Sequence, residues 1–147
     1  MALRLSSGLR SGLLNGTSFV TYMNGGVLDI YTGSQPASAD YVETGTKLVR
    51  ISTSAGTATT SGLLFGTAAS GVLPKSASDW KGVVEATGVA GWFRFYGTAG
   101  TSGTSATEVR FDGAVGVSGA DLNLSHTSLT SSSTVTVSTF NITQPAE

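Results

Sequence analysis

The sequence predicts an all-β fold: an antiparallel sandwich of about eight or nine short strands, jelly roll being one form, behind a short N-terminal helix or arm. Three observations carry this. From Gly26 onward, short apolar or alternating runs recur between Gly, Pro, Asn and Ser/Thr punctuation, the pattern of strands joined by turns. The run Trp92-Phe93-Arg94-Phe95-Tyr96 alternates two residue sets, as a strand with two distinct faces does. No segment repeats at a fixed period, which sets aside solenoids and propellers.

At the N-terminus, Leu5, Leu9 and Leu13 approximate a helical face, with Leu3 and Leu14 beside them and Ser6 or Ser7 placed as cap. Gly8 and Gly12 each weaken a helix by ~1 kcal/mol relative to alanine. The spacing therefore predicts a short helix that holds only when docked on the domain or on a neighbour. Residues 19–23 extend the helix or form a strand, and Asn24-Gly25-Gly26 ends either one.

The stretch Val27-Leu28-Asp29-Ile30-Tyr31 is a strand closed by Gly33, and residues 34–45 form a polar loop carrying Asp40 and Glu43. Lys47-Leu48-Val49-Arg50-Ile51-Ser52 is a second strand whose alternation predicts one exposed face. Residues 53–61 are small and polar, Leu63-Leu64-Phe65 is a short apolar run, and residues 68–78 read as loop with Pro74 breaking any ladder. Residues 81–87 and 90–96 read as an antiparallel hairpin around Thr87-Gly88-Val89. On its second strand, Phe93 and Phe95 belong in the core. Trp92, Arg94 and Tyr96 belong on the opposite face, under a loop or at a subunit contact. Residues 98–105 hold only Gly, Thr, Ser and Ala and read as a mobile hairpin tip. Strands follow at 107–111, 113–117, 122–124 and 135–142.

The 147 residues amount to one domain's worth. Charged residues are 12%, about half the usual ~25%, and the net charge is −1. No global field recruits nucleic acid or an anionic membrane, and a weakly charged surface is poorly protected against association. The chain has no cysteine, which excludes disulfides, thiolate catalysis and cysteine-ligated zinc. No apolar run approaches the ~18 residues of a membrane span, and the arginines at 4 and 10 among serines and glycines do not make a secretory signal. Asn15, Asn123 and Asn141 match the glycosylation sequon, as chance provides in a Ser/Thr-rich chain.

His126 is the single histidine; Ser125 and Thr127 flank it, but neighbours on a strand point to opposite faces, and the simpler reading is a partly exposed loop histidine. Asp112 and Asp121 follow glycine-rich turns and have the residue type of an acid–base pair or a calcium site. The simpler reading is turn chemistry, as at Asp112-Gly113. Asp29, Asp40 and Glu43 lack the spacing of an EF-hand loop, and the glycines of 97–103 are neither GxGxxG nor followed by GK[ST]. Trp80, Trp92 and Tyr96 offer a candidate sugar-stacking platform, against a packed strand face with Arg94 over an aromatic ring. No catalytic residue, metal site or cofactor follows from these residues, and the chain is expected not to be an enzyme.

Three segments carry a specific likeness: residues 28–40 (LDIYTGSQPASAD), residues 87–95 (TGVAGWFRF) and Gly119-Ala120-Asp121-Leu122-Asn123-Leu124. In order and spacing, from about Leu28 to Pro145, the chain resembles a family of small tailed-bacteriophage virion structural proteins. The leucine-rich start at Leu9, Leu13 and Leu14, and the ending Gln144-Pro145-Ala146, agree with it. The resemblance implies a virion structural role and brings no catalytic residues. It suits a capsid decoration or cement protein on the outer surface of the phage head, partnered by the major capsid protein and by copies of itself as a homotrimer. A tail, baseplate or fibre-associated part and a carbohydrate-binding module are the alternatives. Residues 1–23 are then an arm that latches onto a neighbour and residues 24–147 the sandwich. The candidate interface is Leu5, Leu9, Leu13, Leu14, Trp92, Arg94, Tyr96 and Arg110.

Overall fold

The computed structural model describes residues 3–53, 62–98 and 100–144; the small polar stretch 54–61 and the Pro145-Ala146 pair lie outside the described residues. The elements along the chain are β1 (Arg4–Leu5), α1 (Ser7–Leu14), α2 (Phe19–Met23), β2 (Val27–Thr32), β3 (Lys47–Ile51), β4 (Val72–Pro74), β5 (Lys81–Val83), β6 (Gly88–Tyr96), β7 (Arg110–Gly116), β8 (Leu122–Asn123), β9 (Ser128–Leu129), β10 (Thr134–Thr136) and β11 (Asn141–Thr143). The fold is all-β with two short helices, and the strand count exceeds the sequence expectation because several strands are only two or three residues long.

The main sheet runs β1-β7-β6-β2-β3, with β8 added to β7 and β9 to β6. Every pairing is antiparallel except the parallel β7–β8 contact. β6 is central because its alternation gives it two faces to bury. Phe93 and Phe95 enter the core as expected and are fully buried. Phe95 stacks on Phe111 with ring centroids 5.2 Å apart, while Trp80 approaches Phe95 at 5.9 Å and Phe140 approaches Phe93 at 5.6 Å. Trp80, Val135, Val137, Phe140 and Leu73 come from a second layer that contains the two-stranded ladders β10–β5 and β11–β4. The two layers sandwich one aromatic-rich core.

Several local expectations are corrected by pairing that the sequence does not display. The hairpin of 81–87 with 90–96 does not form: β5 pairs with β10, and both edges of β6 are occupied by β2 and β7. Pro74 does not break a ladder. It ends β4 opposite Asn141, where a missing N–H costs nothing, and its carbonyl accepts from the Gly66 N–H at 2.8 Å. β3 has no exposed face: Leu48, Val49 and Ile51 are all buried, and the chain around β5 bridges to Val49 and Ser52. The 135–142 run is two strands, not one. The chain crosses between the ladders there and drops Phe140 into the core.

The N-terminal segment is part of the domain rather than a free arm. β1 pairs with β7, and Leu9 and Met23 are fully buried members of the common core. Ser6 explains the docking. Its Oγ caps α1 by accepting the Leu9 N–H at 3.2 Å, accepts the Arg110 N–H at 3.2 Å and donates to the Glu108 carbonyl at 2.7 Å. Gly8, a poor helix former, is required by the same packing: a Cβ there would lie 2.2 Å from the Thr107 carbonyl oxygen. Ser6→Ala removes the cap and leaves the buried Arg110 N–H without that acceptor. It should cost about 2 kcal/mol, read as a lower urea midpoint at unchanged slope.

Candidate functional site

The face of the main sheet opposite the aromatic core carries a row of alternating charge. The registers place Arg4 beside Asp112, Asp112 beside Arg94, Arg94 beside Asp29 and Asp29 beside Arg50, so one charged position from each of five strands falls on one line. Two forked pairs form within it. Arg94 donates from Nε and Nη2 to the Asp112 carboxylate at 2.6 and 2.7 Å, and Arg50 donates from Nε and Nη2 to Asp29, both at 2.7 Å. The planar guanidinium matches a carboxylate in this arrangement.

The polar loop between β2 and β3 closes over the row. Arg94 Nη1 donates to Glu43 Oε1 and to the Tyr41 carbonyl, both at 2.8 Å. Tyr96 donates to the same Glu43 oxygen at 2.7 Å, and the Gly103 N–H donates to Glu43 Oε2 at 3.0 Å. Trp92 donates from Nε1 to the Thr44 carbonyl at 3.2 Å and stacks on Tyr31, ring centroids 4.6 Å apart. Arg110 spends its donors on loop carbonyls: Ala39 at 2.6 Å, Thr101 at 3.0 Å and Asp40 at 3.1 Å. The 100–105 stretch is therefore tied down by Glu43 and Arg110, contrary to the mobile tip expected for it.

The electrostatics follow from this covering. Burial raises the Tyr31 hydroxyl to about 12 and raises that of Tyr96 as well, so neither titrates near neutrality. Burial pushes the Asp112 carboxyl up while Arg94 and Arg110 pull it down, burial being the larger. Both its oxygens accept from Arg94, the geometry of the ionised pair. For Glu43, burial also pushes up, but the bonds from Gly103, Tyr96 and Arg94 outweigh it and hold the carboxyl below its ordinary value. A depressed carboxyl stabilises the fold above its unfolded pKa and loses that contribution as pH falls through the folded value. The raised Asp112 has the opposite sign, so its protonation offsets part of the loss. Glu43→Gln should flatten the fall in urea midpoint between neutral pH and about pH 3. An unchanged pH profile would remove Glu43 as the clasp of the loop.

The sequence-predicted residues are distributed as follows. Trp92, Arg94, Tyr96 and Arg110 come together, but inside the chain. With exposures of 0, 0, 2 and 0% they offer no surface to a partner, which corrects their place in the candidate interface. Trp80, at 0%, lies in the core on the other side of the sheet, so Trp80, Trp92 and Tyr96 do not form one stacking platform. Leu9 is also fully buried; Leu5 and Leu13 are half-buried and Leu14 is 89% exposed. Asp112 is a buried ion-pair partner rather than a turn residue. Asp121 accepts the Ala114 N–H at 2.8 Å; His126 is exposed and its Nδ1 lies 3.0 Å from Ser125 Oγ in a hydrogen bond, so Ser125 does not point away from it as expected. The row itself was missed as a unit. Its signal was there in single charges, Asp29, Arg50, Arg94 and Asp112, placed within otherwise apolar strands.

Within the row, Arg94 and Arg50 are paired to Asp112 and Asp29, while Arg4 at its end forms no ion pair with a described carboxylate. No cluster of three or more His, Cys, Asp or Glu side chains suited to a metal occurs among the described residues. No described helix is long and apolar enough to cross a membrane. The open feature is elsewhere: an apolar groove of about 630 Å³ between the N-terminal segment and the β4–β11 ladder, lined by Leu3, Leu5, Leu13, Phe19, Phe111 and Ile142 among others. Comparison with family models, curated proteins and solved structures finds no match to this chain.

Proposed function

We propose that this protein is a structural protein of a bacteriophage virion, a capsid decoration or cement protein that bridges major capsid subunits from the outside of the head. The observation that supports an assembly role is the open apolar groove on a chain with only 12% charged residues. Such a surface gains when a neighbour covers it, at roughly 25 cal/mol per Å² of apolar area removed from water. Leu14, Val89 and Val117 are further exposed apolar side chains outside the groove. The virion assignment draws on the three segments that resemble the phage family.

In this reading a homotrimer sits over the junction of capsid subunits and holds them together by apolar burial and strand addition. The polar loop over β6, clasped by Glu43, keeps the domain rigid under load. Cryo-electron microscopy of particles with and without the protein tests this. Density on the outer head surface that disappears with the protein is the expected result. Density confined to tail, baseplate or fibre transfers the protein there, and absence from purified particles overturns the reading.

A further inference from the structure

The outer edge of β1 is an unfinished margin of the main sheet. The Ser6 N–H donates to the Arg110 carbonyl at 3.0 Å, while the register sets Leu5 opposite Phe111 and Arg4 opposite Asp112. Bonded and non-bonded pairs alternate along an antiparallel ladder. Ser6 and Arg4 are thus the bonded positions, and Leu5 turns its N–H and carbonyl away from β7, where no described residue bonds them. An open strand edge of this kind is a template for another strand.

The two sides of this edge differ in chemistry. On the core side lies the apolar groove, to which Leu3, Leu5, Leu13 and Phe111 contribute. On the other side a cavity of about 410 Å³ is lined by Arg4 and Arg10 together with Leu3, Leu5, Ala37, Ser38 and Ala39. Both arginines are exposed, and neither forms an ion pair with a described carboxylate. Arg4 donates to the Pro36 carbonyl and Arg10 to Ser7 Oγ at 3.0 Å, which leaves most of their donors free. The Asp40 carboxylate near Arg10 is itself taken by the Ser7 N–H and hydroxyl, at 2.8 and 2.6 Å. The chain's other three arginines are consumed by Asp29, Asp112, Glu43 and loop carbonyls.

We propose that β1 is a strand-addition site for an extended partner segment in which apolar residues alternate with Asp or Glu. The partner's main chain pairs with the outward N–H and carbonyl of Leu5. Its period of two sends alternate side chains to opposite sides, apolar ones into the groove and carboxylates to Arg4 and Arg10. The inference rests on the assembly role for its biological partner, but the chemistry of the edge is tested separately.

The probe is a short fluorescent peptide alternating leucine and glutamate, titrated with the full chain and followed by anisotropy. Saturable binding is expected, weakened by about tenfold or more in Arg4→Glu/Arg10→Glu and by added salt, with a leucine–lysine peptide failing to bind. Arg10→Glu alone, on the exposed side of α1, should weaken binding in the same direction should the double variant be unfolded by circular dichroism. Peptides N-methylated on alternate residues test strand addition itself: one phase should abolish binding and the other leave it. No binding by the parent peptide, equal binding of the lysine peptide, or equal loss in both phases would overturn the proposal. A chain that fails this test yet decorates heads loses the edge site and keeps the assembly role. One that binds the peptide but is missing from particles does the reverse.

Discussion

Arg94→Met should lower the unfolding free energy by about 3–5 kcal/mol. Arg94 is fully buried, and its removal strands the Asp112 carboxylate, also fully buried, without its forked partner. It also frees Glu43 from one of its donors. The cost lies less in the bonds lost than in the charge left behind, because a dry carboxylate has no water to replace the guanidinium. Arg94→Met combined with Asp112→Leu should therefore recover most of the loss, as apolar replacements of buried pairs often do. A double-mutant cycle from urea unfolding reads the coupling directly. A loss under about 1 kcal/mol in the single variant would place the pair in the class of solvent-screened bridges.

Phe140→Ala should cost a similar amount, about 3–5 kcal/mol. This ring lies where the chain passes from one ladder of the second layer to the other, and it touches Trp80, Phe65, Phe93 and Phe111. Truncation leaves a cavity between rigid aromatic rings that have little freedom to collapse into it. The expected signature is local as well as global: amides of β4, β10 and β11 should lose hydrogen-exchange protection before those of β6 and β7. Val89→Ala, at an exposed position of β6, serves as the control and should stay within about 0.5 kcal/mol.

Legibility in the sequence divided along a physical line. A cap at Ser6 or Ser7 was readable because a capping hydroxyl serves an N–H a few residues away, and the structure uses Ser6. The faces of β6 were readable because alternation is a local property of a strand. The partners of Arg94 were not: Asp112 is 18 residues away and Glu43 51 residues away, on elements whose neighbours no local pattern declares. The mispredicted hairpin failed for the same reason. Residues 81–87 and 90–96 are adjacent in sequence and look self-complementary, yet β6 gains more by burying both edges between β2 and β7.

By itself, then, the sequence determined the all-β class, the strand positions around Val27, Lys47 and Trp92, the entry of Phe93 and Phe95 into the core, and a short helix capped by Ser6 or Ser7. Each rests on periodicity or on short-range hydrogen bonding. Only the tertiary structure decided that Trp92, Arg94, Tyr96 and Arg110 lie beneath a loop instead of at a surface, and that Arg4 and Arg10 alone among the arginines stay exposed and without a carboxylate partner. The difference is physical. A side chain's face follows from its own strand, whereas its burial depends on what the rest of the chain lays over that face.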